Sequence, residues 1–79
     1  MQTKFKRHEK VRLLAAPDID YIEYDPAFDE EKPPITKGMV GKINVLLPNG
    51  EYHVEIVEEK TGKTIAYVPM NEESLEKVE

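Results

Sequence analysis

Apolar and polar residues alternate most cleanly over 51–57, where Tyr52, Val54 and Ile56 share one face and His53 and Glu55 the other. A period of two marks a strand with one buried side. A first strand is predicted over 9–16, with Val11 and Leu13 on one face and Lys10 and Arg12 on the other; Leu14 breaks the alternation. Pro17-Asp18 ends it, because proline cannot donate to a ladder. A second strand spans 40–47, with Ile43 and Val45 facing the same way after a bulge near Gly41. Pro48-Asn49-Gly50 then predicts a tight hairpin of type I′, which needs positive φ at both central residues. A second turn over 58–63 places Gly62 in the left-handed region. The strand after it covers 64–68, with either Ala66 and Val68 or Ile65 and Tyr67 inward, and Pro69 stops it. Residues 71–78 could form a short helix capped by Asn71, but the favoured expectation is a single 3₁₀ turn leading into a last edge strand that carries Val78.

The pattern fails between 18 and 35. Three prolines (Pro26, Pro33, Pro34) and seven acids lie there among Ile19, Tyr21, Ile22, Tyr24 and Phe28. Connections this long in a compact domain are usually functional or mobile. The aromatics argue against disorder, since disordered acidic segments are poor in them. Glycines three apart, Gly38 and Gly41, open a β-branched run, as where strands of a small barrel bend sharply. The expected fold is therefore all-β: a small antiparallel SH3-like barrel of about five strands, with a long first loop and a short 3₁₀ turn or helix near the end.

The order of the pieces also carries a resemblance. Val11-Arg12-Leu13-Leu14, Lys37-Gly38-x-Val40-Gly41-x-Ile43, Tyr52-x-Val54-Glu55-Ile56 and Gly62-Lys63-Thr64-x-Ala66, closed by Glu73-x-Leu75, resemble an uncharacterised bacterial family of small SH3-like proteins. Some members of that family lie beside genes thought to encode toxins, so the resemblance implies an antitoxin-like role. It covers about residues 8–78, apart from the 18–34 loop, which is longer here. The family has no established catalytic residues, and none is carried over. Residues 37–43 are also similar to the KOW motif of ribosomal and transcription-elongation proteins, which implies nucleic-acid binding as the alternative function.

Seventy-nine residues predict a single domain over 1–79 with a core of marginal size. There is no cysteine, so neither a disulfide nor a thiolate metal site can reinforce it. No apolar run approaches the roughly 20 residues of a membrane span. Residues 1–10 are basic without the apolar stretch of a signal peptide, so a cytoplasmic protein is expected. The net charge of −5 is unevenly spread. Residues 1–17 carry five cations against Glu9, with 1–7 expected to be a flexible basic N-terminus. Residues 18–32 carry seven acids against Lys32.

Candidate chemistry is sparse. Ser74 is the sole serine, and His8 and His53 lie far apart, so no nucleophile has an evident activating base and no enzyme is expected. Asp18, Asp20, Glu23 and Asp25 lack the central glycine that converges calcium ligands in an EF-hand loop. His8 and His53 show no zinc-ligand spacing. No metal or cofactor is expected. The loop's aromatics either fold back to cover one mouth of the barrel or, with its acids, contact a basic protein surface, which nominates Tyr21, Tyr24, Asp25, Phe28, Glu30 and Glu31 as partner-binding residues. Without tryptophan to line a groove, recognition of proline-rich peptides is not expected. The expected function is a non-enzymatic protein-interaction module. Its alternative, a nucleic-acid binder, would use Lys4, Lys6, Arg7, Lys10 and Arg12, with Phe5 beside them.

Overall fold

A computed structural model describes residues 5–28 and 31–78. Lys4 and Glu30, each assigned above to a candidate site, lie outside the described residues. The protein is all-β. Six strands, β1 (Lys10–Leu13), β2 (Glu23–Tyr24), β3 (Val40–Leu46), β4 (Tyr52–Val57), β5 (Thr64–Met70) and β6 (Leu75–Lys77), are joined by turns that include two 3₁₀ turns, Ile19–Tyr21 and Glu72–Ser74. They form one antiparallel sheet in the order β2-β5-β4-β3-β1-β6. The sheet is open, with β2 and β6 as its edges, and holds six strands where the sequence predicts a small barrel of about five.

Burial follows the alternation. Tyr52, Val54 and Ile56 are buried while His53 and Glu55 stay partly exposed. Val11 and Leu13 from β1, Ile43 from β3, Ala66, Val68 and Met70 from β5, and Leu75 from β6 complete the same face. Each large side chain buried there contributes about 1.5–3 kcal/mol. Gly41 sits opposite Val11 on one side and Ile56 on the other. A Cβ there would stand 2.5 Å from the Glu55 carbonyl oxygen and 2.9 Å from a Val54 methyl, so only glycine admits this approach of β3 to β4.

Four local expectations are corrected. The irregularity in β3 falls between Ile43 and Val45, not at Gly41. The extra residue turns Val45 outward, where it is 46% exposed, so Ile43 and Val45 do not share a face. The 48–50 loop is not type I′, because Gly50 has φ +89 but Asn49 does not adopt positive φ. Gly50 N–H donates instead to the Leu47 carbonyl at 3.0 Å, and Leu47 N–H to the Glu51 carbonyl at 2.8 Å, giving a three-residue loop closed by a left-handed glycine. Strand β5 runs through Pro69 to Met70. Because β2 pairs only with Ala66 and Tyr67, Pro69 lies on uncovered edge, where its missing N–H costs no ladder bond.

Phe5 is the fourth. It belongs to the basic N-terminal stretch yet is 3% exposed and packs edge-on against Tyr52, with ring centroids 5.4 Å apart. A turn carries the chain from there into β1. Glu9 N–H donates to the Lys6 carbonyl, and His8, at φ +70, donates its N–H to the Ile43 carbonyl at 2.7 Å. Among the described residues no helix is long and apolar enough to cross a membrane.

Candidate partner-binding groove

The irregular segment divides into a part that covers the core and a part that faces solvent. Asp18 starts it: its carboxylate accepts from Asp20 N–H at 3.0 Å, and its carbonyl from Tyr21 N–H at 3.0 Å. This caps a single 3₁₀ turn and leaves Ile19 80% and Tyr21 63% exposed. Strand β2 then pairs Glu23 with Tyr67 and Tyr24 with Ala66. Asp25 donates its N–H to the Ile65 carbonyl, while its carboxylate accepts from Ala27 N–H at 2.8 Å. That turn sends Phe28 inward to join Ile35 in the core cluster. The Tyr24 hydroxyl donates to the Pro33 carbonyl at 2.8 Å, and Lys32 Nζ lies 5.5 Å from the Tyr24 ring centre. These two contacts tie the limbs of the loop together.

Two adjoining hollows lie beside the exposed turn, of about 530 and 240 Å³, sharing Tyr21, Leu47 and Pro69. Asp18 and Glu51 border the larger; Asp20 and Glu23 border the smaller. Among the described residues that line them, carboxylates occur without any lysine or arginine. The floor of the smaller hollow is aromatic: His53 and Tyr67 stack with ring centres 5.3 Å apart and planes 10° from parallel. Asn44 Nδ2 lies 2.9 Å from His53 Nδ1, a hydrogen bond that steadies the imidazole. Burial pushes the Tyr67 hydroxyl above its ordinary pKa, and the Glu55 and Asp25 carboxylates add to the shift. The negative field reaches the phenol itself.

Of the partner-binding residues read from the sequence, Tyr21 lines both hollows. Tyr24 and Asp25 are half-buried and engaged within the loop, and Glu31 is exposed outside the hollows. Phe28 is corrected: at 8% exposed it is a core residue and displays nothing to a partner. Leu47, Glu51 and Pro69 were not singled out as site residues, since only folding brings these turn and strand-end positions to the 18–21 segment. Of the basic set, Lys6 and Arg7 lie on the 6–9 turn, and Lys10 and Arg12 on the exposed side of β1, away from the groove. His8 and His53 are not brought together with carboxylates: among the described residues no group of three or more His, Asp or Glu is placed to hold a metal ion.

Compared with known proteins, the chain matches no protein-family model, no curated protein and no solved structure.

Proposed function

We propose that this protein is a non-enzymatic interaction module, an SH3-like barrel in type, that takes a basic segment of a partner protein into the groove beside Tyr21. The carrying observation is the groove's composition: Asp18, Asp20, Glu23 and Glu51 surround Tyr21, Leu47 and Pro69, and no described lining residue bears a positive side chain. Apolar anchors ringed by charges of one sign suit a partner segment that alternates apolar and cationic residues. The exposed Ile19 and Tyr21 are held on a capped turn, which lowers the ordering cost of binding. For the barrel type, the supporting features are the long connection after β1, the short central hairpins and the 3₁₀ turn before β6. A partner with a basic site also agrees with the antitoxin-like role that the sequence resemblance implies.

The reading is tested with two labelled peptides of equal length, one alternating arginine and leucine, the other glutamate and leucine. The basic peptide binds, and rising salt mainly slows its association. Asp20→Lys with Glu23→Lys weakens it at least tenfold without a change in melting temperature, since both residues are exposed. Asp18 is left in place because it caps the turn. Equal binding of the two peptides would overturn the reading.

A further inference from the structure

Strand register assembles a second surface that the chain order does not show. Lys10 of β1 stands directly opposite Lys42 of β3, and both side chains are exposed. Like charges directly opposite one another destabilise a sheet pair. Two of the nearby acids, Glu9 and Glu76, are paired with other cations, and the third, Glu55, keeps its charge opposite Lys42. The Glu9 carboxylate accepts from Lys6 N–H at 3.2 Å and lies 3.2 Å from Lys77 Nζ. Glu55, the residue across from Lys42 on β4, accepts from the Thr64 hydroxyl. Glu76 lies 3.9 Å from Arg12.

The 6–9 turn extends this row. His8 N–H donates to the Ile43 carbonyl and Ile43 N–H donates to the Glu9 carbonyl at 2.9 Å, so the turn is clamped to β3 at the end of the same ladder. Lys6 and Arg7 are exposed on it. Among the described residues, Lys6, Arg7, Lys10 and Lys42 form no ion pair, and Arg12 flanks them in a long, exposed one. In the sheet order, the acidic strand β2 lies at an edge, three strands from β3 and four from β1.

From this juxtaposition we propose that the exposed side of β1 and β3, with the 6–9 turn, binds duplex nucleic acid through its phosphate backbone, independently of the groove. Four cations outside any close ion pair supply sequence-independent phosphate affinity, although Lys6 acts on the Glu9 carboxylate and Lys42 stands opposite Glu55. Duplex is favoured over single strand because, among the described residues, no Phe, Tyr or Trp ring is exposed on this surface to make a stacking platform: Phe5 is buried against Tyr52, and the one exposed ring is the small imidazole of His8.

The test is fluorescence anisotropy of the full chain with a labelled mixed-sequence duplex DNA of about 20 base pairs, over about 50 to 200 mM salt. Binding in the micromolar range is expected, with log K falling against log salt at a slope of about −3.6, for four phosphates neutralised. Lys10→Gln with Lys42→Gln removes two of the four. It should weaken binding at least tenfold at the low-salt end and bring the slope to about −1.8. Circular dichroism should show the fold intact, because both residues are exposed. The groove variant Asp20→Lys with Glu23→Lys should bind DNA no less tightly than the parent. No binding at low salt, or binding unchanged by the double glutamine variant, overturns the proposal. So does equal competition by polyglutamate, which would assign the surface to an acidic protein, or tighter binding of single-stranded than duplex DNA.

Discussion

Gly41 and Glu9 show how much of this small fold rests on single positions. Gly41→Ala puts a methyl 2.5 Å from a backbone carbonyl that β4 holds in register, so strand or neighbour must move. The expected cost is about 1–3 kcal/mol, read as a lowered denaturant midpoint at unchanged m-value. A midpoint equal to the parent's would mean that β3 approaches β4 less closely than described. Glu9 acts through charge. Its carboxyl is held below the ordinary glutamate pKa, first by Lys6 N–H and then by the Lys77 ammonium. With the folded pKa below the unfolded one, its contribution is present above the ordinary glutamate range and is lost as pH falls through the lowered value. Stability measured from pH 6 down to about pH 3 should therefore fall less steeply in Glu9→Gln than in the parent. Parallel profiles would show that the turn does not depend on this carboxylate.

At the scale of elements, the clearest result is the division of the 18–35 segment. Its composition alone leaves two options, a cover for the core or a displayed surface, and the structure takes both. Phe28 and Ile35 turn in, while Ile19 and Tyr21 stay out. Phe28→Ala should destabilise the fold by about 3 kcal/mol, and Tyr21→Ala by less than about 0.5 kcal/mol. Thermal melts of the two variants check this, and the reverse order would contradict the division. Strand β4 was legible in the sequence because its alternation has no competing feature. The bulge at Ile43–Val45 was not: Val45 has the hydrophobicity of a core residue, and only pairing with β4 turns it out. The loop after Leu47 was half legible. Gly50 takes the left-handed conformation its residue type allows, but the loop has three residues and Asn49 does not share that conformation.

Over the whole molecule, charge is sorted by topology. Residues 6–12 and Lys42 gather cations on β1 and β3, while 18–23 and Glu51 gather acids around the groove. The acidic loop was visible in the sequence as a run of carboxylates. Its partners in the groove were not, because Leu47, Glu51 and Pro69 are contributed from far along the chain and carry no local signature of a site. Lys42 was likewise unremarkable until register set it against Lys10. The claim on which the functional account turns is that the groove takes a basic, apolar segment. Its most direct test is an amide chemical-shift titration of the isotope-labelled protein with the arginine–leucine peptide. The account predicts shifts concentrated at Tyr21, Glu23, Leu47 and Met70, with none from the glutamate–leucine peptide. Shifts centred on Lys6, Lys10 and Lys42, or the same response to both peptides, would contradict it.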